Sequence, residues 1–351
     1  MSDDGGNQQL DGCPIHPLWR DLAFRKADFR EYLSFPDLDK PEYNIDEVVY
    51  DRMKPGLRLA TLFLEEATPE LARIFYAGVE PEPNAAGHPG QRLKEWRGTP
   101  DKQRALGSEL VRLSKMYRVT ALDPQGGDPR EINCPFAKTD TAITDLVFCP
   151  THTRPHQKFY PQSAISNTWQ AFFERQDWDT ISDTEKEGRL LLLAVTLIHE
   201  LAHVVWFHRV SRYYELALKR GRKDYSDIEF DPIEPKFAER QWAETGYVIE
   251  ELMLGGFLSY SNVVPTRDTT PHYPIPPTDR VLFTTRQWTV AGHSNFRVNE
   301  VKPFWISELF SQETWERDAN DAFVGNFHVV RHRLTEPYEG QHFILRDDPI
   351  Q

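Results

Sequence analysis

Residues 196–205 read Thr-Leu-Ile-His-Glu-Leu-Ala-His-Val-Val, and His199, Glu200 and His203 are the side chains whose types and spacing can do chemistry together. Four residues along an α-helix return to within ~40° of the starting direction, so His199 and His203 project from one face and can share one ion. Glu200 stands ~100° from His199, beside the pair, where a carboxylate can take a proton from a water held by that ion. The surrounding positions are uncharged: Leu197, Ile198, Leu201, Ala202, Val204 and Val205. A helix buried through the middle of a domain needs this restriction, because the charges it carries must bind or react.

The elements that position these residues can be read outward from them. Ser182-Asp-Thr-Glu185 is a capping box and predicts a helix over about 183–208. The segment Ala142–Cys149, closed by Pro150, reads as a strand, joined to the motif through a helix near Ser166–Arg175. That order suits a small sheet whose edge borders an active-site cleft. Upstream, Pro55 and Pro69 sit at first-turn positions ahead of helices Leu57–Glu66 and Glu70–Tyr76. A third helix follows Thr99-Pro-Asp101 and carries Leu106, Leu110, Val111, Leu113 and Met116, and Glu80–Gly90 reads as a loop. Beyond the motif, Asp231–Met253 is expected to be helical after Pro235. Pro265–Pro277 is irregular, and Arg280–Val290 and Phe327–Leu334 have strand-like content. The expected organisation is a mostly helical region over 1–135, a catalytic core over 136–260, and a C-terminal region over 261–351 that completes the cleft.

The chain has 351 residues, 39% hydrophobic and 12% aromatic, enough for a large core. A formal net charge of −13 argues against nucleic acid or an anionic membrane as partner. The densest basic stretch, Lys219-Arg-Gly-Arg-Lys223, is followed by Asp224 and reads as a solvated loop. The first twelve residues are polar and lack the pattern of a signal peptide. The longest uninterrupted apolar stretch, within Leu190–Ile198, falls short of the ~18–20 residues that cross a bilayer. Cys13, Cys134 and Cys149 have no metal-type spacing, and the odd count suggests reduced thiols. A cytoplasmic protein is the expectation, with export by a route other than a signal peptide the alternative, in which case Cys134 and Cys149 could pair.

The His199-Glu200-x-x-His203 core resembles that of the zincin metallopeptidases, whose catalytic zinc takes three protein ligands and keeps one position for water. The third ligand divides that group. In the metzincins a histidine lies six residues after the second, with a glycine halfway; here those positions hold Arg209 and Trp206. In the aspzincins an aspartate follows in a Gly-Thr-x-Asp context, and Gly221-Arg-Lys-Asp224 matches it only in part. The gluzincins take a glutamate from a later helix, and Trp242-Ala-Glu-Thr-Gly-Tyr-Val-Ile-Glu-Glu-Leu252 resembles such a segment. The likeness to the aminopeptidase branch selects Glu244, and the likeness to the clostridial neurotoxin light chains selects Glu250. These two are six apart, ~120° around the wheel, so both cannot aim squarely at one ion. Glu244 shares a face with Tyr247, Val248 and Glu251; Glu250 shares one with Ala243 and Gly246, small residues that let another helix come close.

The resemblance implies a zincin-like α+β core, with a long active-site helix beside a small sheet and additional N-terminal helices. It implies a zinc-dependent hydrolase, a metallopeptidase of the gluzincin type acting on a peptide or protein. His199, His203 and Glu244 would be the Zn²⁺ ligands, with Glu250 the alternative third. Glu200 would be the base for the zinc-bound water. Tyr247 is the leading residue to stabilise the oxyanion, beside Tyr260 and His208. Two other functions fit the same residues: an amidase or tailoring hydrolase dedicated to a small peptide, and a catalytically inactive zincin-like binding protein.

Overall fold

The structure is a computed structural model that describes residues 10–25, 44–81, 91–96, 98–115, 117–122, 137–138, 162–219, 234–237, 245–260, 281–290, 293–301, 303–319 and 343–346. Within these the chain is α+β and predominantly helical. Short strand β1 (Phe24–Arg25) precedes α1 (Glu47–Tyr76), β2 (Val79–Pro81), β3 (Gln91–Leu93), α2 (Pro100–Leu113), β4 (Arg118–Leu122) and β5 (Ala137–Lys138). Then come β6 (Gln162–Ser166), α3 (Asn167–Phe173), α4 (Asp183–Lys219), β7 (Lys236–Phe237), α5 (Thr245–Leu254) and β8 (Phe257–Tyr260). The long hairpin β9 (Val281–Val290) and β10 (His293–Val301), helices α6 (Pro303–Leu309) and α7 (Gln312–Ala319), and β11 (Phe343–Arg346) follow.

Helix α4 is the axis of this arrangement. Leu190–Leu193, Val195, Leu197, Ile198, Leu201, Ala202 and Val204–Trp206 are all buried, so its middle is enclosed on every side. The helix starts where the capping box places it: Glu185 N donates to Ser182 Oγ at 3.2 Å. The reciprocal half of the box is replaced, because Glu185 Oε1 accepts from Arg175 Nη1 at 3.1 Å. The helix runs on to Lys219, well past the expected end near 208. Its window Asp183–Tyr213 is long and apolar enough to cross a membrane, contrary to the reading of the uninterrupted runs, but 89% of its apolar window is buried inside the protein.

Helix α1 packs along α4 and corrects the sequence reading of two helices. It is one helix of 30 residues with Pro55 and Pro69 inside it. Each internal proline costs about 3 kcal/mol through a lost hydrogen bond and a clash with the preceding turn. What outweighs this is a buried stripe that continues past both: Met53, Leu57, Ala60, Phe63, Leu64, Ala67, Leu71, Ala72 and Ile74. Helix α2 begins as expected, with the Thr99 side chain accepting from Lys102 N, and buries Leu106, Leu110 and Leu113 while Val111 is exposed.

Among the described residues the strands form three sheets. Parallel β1, β4 and β6 with antiparallel β5 at one edge form a mixed sheet in the order β1-β4-β6-β5, and α4 packs against β5 and β6. Antiparallel β11-β10-β9-β8 form the second, which includes the expected strand Arg280–Val290. The third, β2-β3-β7, joins the N-terminal region to the segment just before α5. Residues Glu80 and Pro81, expected in a loop, therefore belong to a strand, and Lys236–Phe237, expected in a helix, pair with β3; among the described residues of the expected Asp231–Met253 helix, Thr245–Met253 are helical. One hydrophobic cluster extends from Leu10 to Trp315. The expected strands at Ala142–Cys149 and Phe327–Leu334 and the irregular Pro265–Pro277 lie outside the described residues.

Arg209 ties α1 to α4. Its guanidinium donates to the carbonyls of Ile74 at 2.7 Å and Ala77 at 2.5 Å, filling acceptors at the end of α1. Burial lowers its pKa to about 10, still far enough above neutrality to keep the charge. Arg209→Ala is expected to lower stability by about 1–3 kcal/mol by stranding those carbonyls. A urea melt that leaves the midpoint unchanged would remove this role.

Candidate metal and catalytic site

The two histidines of α4 face α5, one turn apart, with ring centroids 5.1 Å apart and ring planes at 63°. Neither ring is oriented by its own helix alone. His199 Nδ1 contacts Glu250 Oε1 at 2.7 Å, and the other oxygen of Glu250 accepts from the backbone N–H of Leu258, on β8, at 3.4 Å. His203 Nδ1 contacts Glu234 Oε1. The second Glu234 oxygen accepts from the backbone N–H and the hydroxyl of Thr245, both at 2.9 Å. Opposite an ionised carboxylate, which only accepts, a neutral imidazole donates from Nδ1 and carries its lone pair on Nε2. That is the tautomer in which imidazole coordinates a metal while a carboxylate holds its far edge.

Glu200 lies on a neighbouring face of α4 and is only 2% exposed. Just before β4 the fully buried Tyr117 donates its hydroxyl to Ser163 Oγ at 2.8 Å. The Tyr117 pKa is raised, first by burial and further by the Glu200 charge, while the bond to Ser163 works in the opposite direction. The phenol is thereby kept neutral.

Helix α5 reaches α4 because residue 246 is glycine. A Cβ there would lie 2.5 Å from Cδ2 and Nε2 of His199, inside any permitted contact. The helix ends at Gly255, whose φ of 82° belongs to the left-handed region and whose N–H donates to Glu251 O at 2.9 Å. The wheel argument for small residues on the Glu250 face therefore has its counterpart, with Gly246 and Glu250 both against His199. Tyr247 sits edge-on to that ring, with centroids 4.9 Å apart and planes at 84°, and is 42% exposed, placing it where the site meets solvent.

The other sequence-selected residues distribute differently. His208 is buried, stacked on Phe75 at 5.7 Å, with Nε2 3.6 Å from Glu109 Oε2. It belongs to a cluster with α1 and α2, and burial holds its pKa below the usual imidazole value. Glu244 and Asp224 lie outside the described residues, as does the side chain of Tyr260. Sequence reasoning missed Glu234. Its only local signal is the dipeptide Glu234-Pro235, which read as the start of a helix.

Among the described residues no group of three or more His, Cys, Asp or Glu side chains forms a metal-binding set. The two histidines nonetheless fit a zinc ion: imidazole suits it, and both rings are oriented through Nδ1. Comparison of the chain with family models, characterised proteins and solved structures finds no match.

The tight approach at Gly246 gives a direct test. Gly246→Ala is expected to force α5 away from His199 and cost about 1–3 kcal/mol through overpacking. It should also weaken the Glu250–His199 contact. Wild-type stability and an unmoved His199 ring in a crystal structure of the variant would contradict it.

Proposed function

We propose that the protein is a zinc-dependent hydrolase with a zincin-like core, acting as a metallopeptidase. The observation that carries this reading is the pair of α4 histidines, each held at Nδ1 by its own carboxylate, with a buried glutamate between them in sequence. A mixed sheet packed against α4, with an antiparallel edge strand, supports the same architecture. An exposed sheet edge can pair with an extended peptide through main-chain hydrogen bonds. The peptide class of substrate follows from the likeness of the motif to the gluzincin peptidases.

His199 and His203 would hold the ion through Nε2, and Glu244, directly before Thr245 in sequence, would complete the ligand set. Bound Zn²⁺ supplies a Lewis acid for the scissile carbonyl and lowers the pKa of water. Glu200 takes the proton of the attacking water on a carboxylate oxygen and passes it to the leaving amine nitrogen. The enclosure of Glu200 keeps bulk water from competing for that proton. Tyr247, half-exposed against His199, can donate its hydroxyl to the oxygen that gains charge. Glu250 is read here as the partner that orients His199, because its contact is to the ring edge opposite Nε2.

The test combines elemental analysis with cleavage of a peptide library. Purified protein should carry about one zinc per chain; protein that neither contains nor binds zinc would sink the reading. Glu200→Gln should keep the metal and lose about 10²–10⁴-fold in kcat, whereas full activity would remove Glu200 as the base. Glu244→Ala should weaken zinc binding more than Glu250→Ala, and the opposite order would make Glu250 the ligand.

A further inference from the structure

We infer that Glu234 is a positioning residue that fixes His203 and, through Thr245, the start of α5. The inference rests on the zinc reading for its purpose, while its geometry stands independently. Glu234 belongs to neither helix of the site. It lies two residues before β7, whose Lys236 and Phe237 pair in parallel with Arg92 and Leu93 of β3. Phe237 is fully buried, with the Arg73 guanidinium of α1 4.9 Å above its ring. The backbone that carries Glu234 is therefore anchored to a sheet built from the N-terminal part of the chain.

The carboxylate spans two elements. One oxygen takes His203 Nδ1, and the other takes both the backbone N–H and the hydroxyl of Thr245. Thr245 Oγ1 is itself 3.3 Å from His203 Nδ1, so the three groups form a closed cluster. His203 and Thr245 are 42 residues apart in sequence. Glu234 thus sets where α5 begins relative to the second histidine. It also supplies negative charge and an acceptor to the first turn of α5, where backbone N–H groups lack helical partners. Glu250 does the corresponding work for His199 from within α5, so the two rings are held by carboxylates from two different elements.

The full-length protein allows two readouts. In metal-free protein at pH 8, ¹⁵N spectra of the imidazoles should show His203 protonated on Nδ1. Glu234→Ala should shift it towards the Nε2–H form that unrestrained imidazole favours, and Glu234→Gln should preserve the Nδ1–H form through its amide oxygen. In chelator competition, Glu234→Ala should weaken zinc binding by about 10–100-fold, and Glu234→Gln by a smaller factor of roughly three to ten. Circular dichroism of each metal-free variant establishes that it folds. If Glu234→Ala does not fold, the isosteric Glu234→Gln decides, and wild-type zinc affinity in that variant overturns the inference. A folded Glu234→Ala that keeps the Nδ1–H form or binds zinc as the wild type does also overturns it. So does a loss as complete as that of His203→Ala, which would make Glu234 a ligand. If the wild type takes up no zinc, the functional reading falls while the tautomer comparison still decides whether Glu234 holds His203.

Discussion

Carrying two histidines and a glutamate into the middle of an apolar layer is the constraint on which the rest of the structure depends. Helix α4 is buried among hydrophobic side chains through its middle, from Leu190 to Trp206, and a buried ionisable group without partners costs several kcal/mol. A domain is stable by only about 5–15 kcal/mol in total, so such losses cannot accumulate. The partners come from outside the helix: Glu250 from α5, and Glu234 from the segment before β7. Tyr117 and Ser163 form a neutral hydroxyl pair within reach of the Glu200 charge.

This requirement explains why a short helix is packed so closely and fixed at both ends. Ten residues are too few for α5 to be stable by itself in water. The Glu234 carboxylate takes its first N–H, and Gly255 turns the chain out of its last turn. Between those ends, the absence of a side chain at Gly246 sets the distance to His199. The N-terminal region takes part in the same scaffold. Strand β3 pairs with β7, and α1 supplies the carbonyls that Arg209 fills from the turn of α4 beyond the motif. Arg209 stands where a metzincin would carry its third ligand, and here that position serves packing between helices.

The placement of His199, Glu200 and His203 on one helix was legible because it is local. Histidine spacing, uncharged flanks and Ser182 all lie within one helical segment, and periodicity reports them directly. The small residue at 246 was legible for the same reason, since it shares a helical face with Glu250. Three features were not local and escaped. The length of α1 depends on a buried stripe that outweighs Pro55 and Pro69, which propensity alone reads as helix starts. Strand β7 is two residues long, and its pairing with β3 spans more than a hundred residues of sequence. Glu234 acquires its role only when that pairing brings it to His203, and no neighbour in sequence announces it.

The choice between Glu244 and Glu250 shows why a helical wheel leaves such a question open. A wheel ranks directions around one axis, and both glutamates are compatible with an ion lying in some direction from α5. The structure adds which edge of the imidazole Glu250 reaches. Glu250 meets His199 at Nδ1, while Nε2 lies at the other edge of the same ring, so coordination and orientation call for groups on opposite sides. A carboxylate spent on the first task is poorly placed for the second. The same logic separates Glu234 from the ligand set, because it also meets its histidine at Nδ1. On the proposed zinc reading, two glutamates would hold the histidines and a third would complete the coordination, so the acidic residues around α5 would not be interchangeable.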